Sequence, residues 1–400
     1  MGDRRILKGG VVFDGTGAAP ARIDVAIEGE LIVALGHHLE GDDRVDLAGA
    51  ALFPGFIDCH SHVAMRSIDT FEQGLAKTPS RIAFAAIANL RATLAGGVTT
   101  VRDAAFADAG YREAIEAGDV LGPRLLVSLV QLSPSAGPYD LRTKSGHDAW
   151  IQRQGLPLPV ADGPDGVRAK VREAVALGAD VIKIFATGPS SMARGGAHRT
   201  LFTDEELAAV VDEAARQGVK VMAHAHGARG GEAAARAGVA SIEHGLFLDD
   251  AALDAMATRR TTLVPTLLAS EADSDRAEAH RDVVRKAKAK GVAIAMGTDC
   301  PIAPHGSNLR ELELLTASGL TPTEALVAAT SSAARLLGLE NEIGRIAPGL
   351  QADLIVVDGD PLDVSALPDR VREVYQRGRR VIPDAVAGGQ AVLGSPARSA

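Results

Sequence analysis

From Pro54 onward the chain alternates between short apolar runs and Ala-rich stretches with helical spacing, and this rhythm limits the possible folds more than any single motif does. The runs that read as strands are 56–62, 99–103, 124–131, 181–186, 220–226, 241–244, 261–267 and 293–299. Between most of them lie amphipathic stretches, at 81–94, 166–177, 203–217, 229–237, 250–258 and 275–290. Several of these close on glycine, at Gly96-Gly97, Gly178, Gly218 and Gly238. Thr203 offers a helix cap, with Glu206 in the capping-box position. Eight strands, each followed by a crossover, is the count of an α/β (β/α)8 TIM barrel, whose chemistry sits at the C-terminal ends of the strands. An open doubly wound sheet would require a Gly-rich phosphate loop after the first strand, and the chain has none there.

Outside this stretch the pattern differs. Residues 4–53 read as short strands separated by Gly9-Gly10, Asp14-Gly15, Glu28-Gly29 and Ala48-Gly49 turns, and strand and turn signals return from Gly344 to Gln376. The expected organisation is a barrel over residues 54–344 and a small β-sandwich built from both ends, 1–53 plus 345–400, with a loose tail from about Val386. Two helices, 309–318 and 322–337, follow the barrel, the second capped by Thr321 with Pro322 in its first turn. The longest gap, 133–165, is rich in Pro and Gly, holds Trp150, and reads either as a lid or as an irregular surface loop.

Composition removes several classes of function. A net charge of -9 with no sustained basic run argues against nucleic acid as a partner; the Lys/Arg-containing stretch 281–290 reads as a solvated helix face. Two cysteines exclude a disulfide framework. The N-terminus lacks the apolar segment of a signal peptide, and no stretch is long and apolar enough for a bilayer, so a cytoplasmic protein with no membrane partner is expected. A homo-oligomer, by default a dimer, is the expectation for assembly.

The polar residues at the strand ends carry the chemistry. His60 and His62 are two apart in a strand and share a face. Lys183 interrupts the apolar run Val181-Ile182-Lys183-Ile184-Phe185, His224 and His226 end the fifth strand, His244 the sixth, and Asp299 the eighth. Each alone has an ordinary explanation: a lysine snorkelling to the rim, a hydrogen-bonded core histidine, an aspartate capping a helix. Converging in one pocket, such groups must satisfy one another or bind a cation.

On these residues the chain resembles the amidohydrolase superfamily of metal-dependent hydrolases. The segments Ile182-Lys183-Ile184-Phe185-Ala186-Thr187-Gly188, Ala223-His224-Ala225-His226-Gly227, Ser241-Ile242-Glu243-His244-Gly245 and Gly297-Thr298-Asp299 resemble its imidazolonepropionase-related branch, which includes Xaa-Pro and Xaa-Arg/Lys dipeptidases and ochratoxin-type amidases. His305-Gly306-Ser307-Asn308 and the run from Gly344 to Leu354 extend the likeness over nearly the whole chain.

The resemblance implies that His60, His62 and Asp299 bind the more buried of two divalent ions and that His224 and His244 bind the second. Lys183, carboxylated by carbon dioxide to N6-carboxylysine, would bridge them, since an ammonium cannot ligate a cation and a carbamate can. Imidazole ligands favour zinc, with manganese, cobalt or iron as substitutes.

The implied enzyme is a binuclear hydrolase acting on a small-molecule substrate, an amide of a dipeptide or N-acyl amino acid, through a metal-bridging hydroxide, with Asp299 as general base and then acid. Alternatives are the same machinery on another amide, lactam, ester or carbamate-type xenobiotic such as an ochratoxin-like amide; a mononuclear deaminase or imidazolonepropionase, in which Lys183 has no task; and an inactive binding module.

Candidate substrate contacts are His226, His305, and Tyr139 or His147, which would replace a histidine that relatives carry in a Gly-Gly-His element. Arg194 and His198 are candidates for a substrate carboxylate. Cys59 and Cys300 adjoin proposed ligands and should point away from the pocket as reduced thiols.

Overall fold

Residues 4–66, 73, 76–148, 154–190 and 196–382 are described by the computed structural model. Parallel strands run in order through Phe56–Ser61, Val98–Asp103 and Arg124–Val127, then Gln131–Leu132, Val181–Phe185, Lys220–Gly227, Ser241–Phe247 and Thr262–Val264. The third barrel strand, expected as one run over 124–131, is divided. Arg124–Val127 pairs with the second strand and Gln131–Leu132 with the fourth, and between them Leu129 takes φ 66°.

The eighth run, 293–299, forms no regular ladder yet closes the barrel. Its backbone meets the seventh strand through Leu263 N–H to Ala293 O (2.8 Å) and Ala295 N–H to Leu263 O (3.0 Å). It meets the first through Cys59 N–H to Met296 O (2.9 Å) and Asp299 N–H to His60 O (2.7 Å).

Helices cover the outside of the barrel. Pro79–Ala95 starts at Thr78, whose side chain accepts from Arg81 N–H, and Asp204–Arg216 starts at the reciprocal Thr203–Glu206 capping box. Gly163–Ala176 turns Val167, Val171 and Ala174 inward, and Asp204–Arg216 turns Leu207, Val210 and Ala214 inward, onto the core that contains Ile182, Ile184 and Val221. Each fully buried valine or leucine of this layer contributes about 1.5–3 kcal/mol, which is why helical periodicity was a reliable guide here. Cys59 and Cys300 are buried free thiols, and Cys59 packs with Ala333, Ala334 and Leu336 of the helix Ser331–Leu337.

The second post-barrel helix, expected over 322–337, is two helices, Pro322–Ala328 and Ser331–Leu337. The break has a local cause: Ala328 O and Ala329 O turn away to accept from Met296 N–H (2.9 Å) and Ile57 N–H (2.8 Å) of the eighth and first barrel strands. Those carbonyls are satisfied by the barrel strands at the point where the first of the two helices ends.

Both ends of the chain enter one six-stranded sheet, in which Leu354–Val357 lies antiparallel to Ala51–Pro54 and to Val371–Gln376. A four-stranded sheet of Arg4–Lys8, Asp24–Glu28, Leu31–Gly36 and Asp43–Asp46 shares a core with it, Leu7, Val25, Ile27 and Ile32 packing with Leu52, Leu354, Val356 and Tyr375. The chain passes from sheet to barrel at Gly55, where a Cβ would collide with the Thr99 side chain. Among the described residues no helix is long and apolar enough to cross a membrane. The tail expected from Val386, and Trp150, lie outside the described residues.

Candidate metal centre

The barrel brings the strand-end residues to one place. Ligand atoms of His60, His62 and Asp299 all lie within 4.8 Å of one another. The Asp299 carboxylate is 3.1 Å from His62 Nε2 and 3.5 Å from His60 Nε2 on one side, and 4.0 Å from His244 Nδ1 on the other. The His244 ring lies 4.8 Å from that of His60 and 4.5 Å from that of His224, centre to centre. His60, His62, Lys183, His224 and His244 are all buried. Two of the group sit in the left-handed backbone region, His244 at φ 70° and Asp299 at φ 56°, a strain that non-glycine residues hold only where the surroundings impose it.

Burial sets the protonation of this cluster. It drives His224 and His244 well below the ordinary histidine range and His60 to about 4, with the nearby Lys183 pushing all three the same way, so these imidazoles are neutral at pH 7. Burial lowers His62 too, but the bond to Asp299 and the charges of Asp299 and Asp103 together raise it overall. Lys183 is brought down to about 8 by burial, against the pull of Glu243 and Asp299.

The donor set fits divalent cations. Among the described residues His62 Nδ1, Lys183 Nζ, His224 Nε2 and His226 Nδ1 are buried with no hydrogen-bond partner, a costly state for polar atoms that a bound cation would relieve for the imidazoles.

The support for the first histidine comes from deep in the barrel. His60 Nδ1 lies 2.6 Å from Glu243 Oε2; Glu243 receives Arg102 Nη2 at 2.9 and 3.2 Å and the hydroxyl of Ser241. Arg102 also donates to Cys59 O at 2.6 Å. With its Nδ1 proton held by a carboxylate, His60 keeps the lone pair on Nε2. Burial raises Glu243, but Arg102 and His60 more than offset this and hold it at about 2.

Asp58, pushed up to about 6 by burial, accepts from His60 N–H, Thr298 Oγ1 and Asn308 Nδ2, tying the first strand to the eighth. Asp103 accepts from Val63 N–H at 2.7 Å just beyond His62.

The other candidate residues divide. His226 is buried and its ring stacks on His244 at 5.1 Å, inside the cluster. Tyr139 stands between Phe106 (5.8 Å) and Phe185 (5.3 Å), while Phe185 contacts His224 (4.8 Å) and Phe106 faces His62 (6.4 Å). His305 is half-buried, its Nδ1 3.2 Å from Thr93 Oγ1. His198 is exposed and stacks on Phe247, which ends the sixth strand. His147 is exposed in a turn whose carbonyl bonds Thr143, and among the described residues its ring has no contact with the cluster. Arg194 lies outside the described residues.

Sequence reasoning passed over Arg102, Glu243, Asp58 and Phe106 as site residues. Three of them had a signal: Asp58, Arg102 and Glu243 are charges inside strands, where a buried charge needs a partner.

The amidohydrolase family profile matches residues 51–387. Ochratoxinase from Aspergillus niger is 31% identical over 361 aligned positions, covering 82% of this chain and 75% of that protein. Imidazolonepropionase from Paracoccus denitrificans is 31% identical over 337, covering 79% and 81%. Among solved structures, a Xaa-Pro dipeptidase with bound methionine in its active site superposes with a TM-score of 0.86 at 32% identity, covering 94% of this chain and 99% of its own. The extent of the profile match and the barrel-wide likeness lead to one conclusion: the chain belongs to the amidohydrolase family, as an α/β-barrel hydrolase of carbon–nitrogen bonds.

Proposed function

We propose that this chain is a binuclear metal-dependent amidase that cleaves the amide bond of a dipeptide or N-acyl amino acid. The observation that carries the reading is Lys183: a buried amine with no hydrogen-bond partner among the described residues, on the strand next to that of His224 and within electrostatic reach of Glu243 and Asp299. A lysine brought down to about 8 by burial presents a substantial fraction of free amine near neutral pH. That amine adds to carbon dioxide, forming an N–C bond and releasing one proton, and the carbamate then supplies two anionic oxygens to the pocket. His60, His62 and Asp299 would hold one ion, His224 and His244 the other, with the carbamate between them. Bound there, two divalent ions, most suitably zinc given the imidazoles, polarise the scissile carbonyl and acidify water.

The remaining work falls to the chain. Asp299 takes the proton of the attacking water and delivers it to the departing amine, and its place between the His60/His62 pair and His244 suits it to serve both. Glu243, charged through Arg102, keeps His60 in one tautomer. His226, buried beside His244 and with no partner for its Nδ1 among the described residues, would bond the substrate.

Phe106, Tyr139 and Phe185 form a run of rings from His62 to His224, in a chain with only 3% aromatics. This wall favours amides with an apolar or aromatic group on one side of the bond over charged ones. The same proposal divides the chain into a barrel of residues 54–344 and a small β-sandwich from its two ends.

Metal analysis and a substrate panel test the reading together. It predicts two ions per chain and turnover of N-acyl amino acids or dipeptides with apolar groups. A chain without metal, or one that hydrolyses esters and lactams but no amino-acid amide, would contradict it.

A further inference from the structure

We infer that Glu311 is a positioning residue for His244, acting through the turn at Thr266; this rests on the proposed second ion site. His244 Nδ1 lies 2.7 Å from Thr266 Oγ1, so the ring's orientation depends on where that hydroxyl stands. Thr266 is a β-branched residue in the left-handed region (φ 53°, ψ 48°), a conformation it does not adopt by its own preference. Something must hold the turn, and the structure assigns that task to one side chain. Glu311, fully buried at the start of the helix Arg310–Ala317, accepts Leu267 N–H on one carboxylate oxygen and Leu268 N–H on the other, each at 2.8 Å. Those are the two amides that follow Thr266, and they belong to a short 3-10 turn, Leu267–Ser270.

The same turn grips the histidine's backbone. Ser270 Oγ is 2.9 Å from His280 Nδ1, and His280 Nε2 donates to His244 O at 2.7 Å, where His244 itself sits at φ 70°. Side chain and main chain of His244 are thus both referred to a turn that Glu311 pins. Thr266 Oγ1, accepting the Nδ1 proton, leaves the His244 lone pair on Nε2, the state a ligating imidazole needs.

Three residues earlier, Asn308 performs a matching service for His60, donating to Asp58, whose second oxygen takes His60 N–H. The segment Asn308–Glu311 therefore bonds to the supports of both His60 and His244.

The test uses full-length protein, titrated with zinc after chelation, with bound metal counted and thermal stability of the metal-free chain measured alongside. T266V and E311A are expected to bind the second ion about 10- to 100-fold more weakly than wild type, the usual range for groups that orient a ligand, while the first ion stays. T266S, which keeps the hydroxyl, is expected to bind both ions like wild type. At saturating zinc, T266V should recover kcat with little change in KM.

Second-ion affinity unchanged in both T266V and E311A overturns the inference, as does a drop in metal-free stability with an unchanged zinc titration, which would make Glu311 merely structural. Should E311A fail to fold, T266V decides. A wild-type chain that takes up no second ion would instead overturn the proposed function, and this inference with it.

Discussion

Removing Arg102 should damage this protein in two separable ways. The guanidinium is buried, bonds Glu243 at 2.9 and 3.2 Å, Ser241 Oγ at 3.1 Å and Cys59 O at 2.6 Å, and is the cation nearest that carboxylate in the hydrogen-bond network. In R102M the side chain retains its bulk but Glu243 is left as a buried charge without its cation. Breaking a buried pair from one side costs about 3–5 kcal/mol, against ~0–1 kcal/mol for the surface pairs that decorate the helices.

The double variant R102M/E243M removes the orphaned charge as well. It should regain part of that loss, leaving a deficit of about 1–3 kcal/mol for the bonds that His60 Nδ1 and Cys59 O lose. Activity should not follow stability, because in R102M the carboxylate that fixes the His60 tautomer loses its cation and in the double variant it is gone. Urea unfolding of the metal-free chains read beside amide turnover separates the two effects. A single variant within about 1 kcal/mol of wild type, or a double variant that recovers activity along with stability, would refute the account of this pair.

The pair also sets an acid limit: Glu243 titrates at about 2 folded against 4.5 as its ordinary value, so its stabilisation is complete above pH 4.5 and fades as the pH falls towards 2, which acid unfolding of wild type against R102M/E243M would reveal. Because burial brings Lys183 to about 8, reactivation of chelator-stripped enzyme by zinc, with dissolved carbon dioxide held at one concentration at every pH, should accelerate from pH 6.5 to 8 and level off above; a rate flat across that range would remove the free amine from the mechanism. D299N should keep its fold and lose at least about 100-fold in kcat as the general acid–base is removed, measured at saturating metal; near-normal kcat would dismiss Asp299 as the proton carrier. F106A should raise KM for amides bearing an aromatic group by about 2- to 10-fold, the worth of one ring contact, and leave small aliphatic substrates unchanged; equal effects on both would mean the ring wall does not contact substrate.

The barrel was legible in the sequence because each strand–helix unit carries its own evidence: apolar runs of strand length, amphipathic stretches, and glycines where helices end. Where local signals and packing disagreed, packing prevailed. Residues 322–337 read as one helix, but the carbonyls of Ala328 and Ala329 are needed by the barrel floor, and the helix breaks there. The run 124–131 read as one strand, yet its halves serve different neighbours.

In the site, the residues gathered around Asp299 could be named from the strand ends because each sits where a barrel strand delivers it. Their supports could not. Arg102 and Glu243 are 141 positions apart, and Glu311 lies 44 positions beyond the turn it holds; no local pattern links such partners. Tyr139 and His147 looked equivalent as substitutes for a missing histidine, and only the fold separates them, placing Tyr139 among rings that lead to His62 and His224 and His147 on an exposed turn.

The central claim is that Lys183 carries a carboxyl group between two metal ions. A crystal structure of enzyme prepared without chelators, with anomalous scattering measured at the zinc edge, tests it most directly. The account predicts two anomalous peaks bridged by density extending from Nζ of Lys183 by one carboxylate. A single peak beside an unmodified lysine, or a lysine turned out of the cluster, would contradict it.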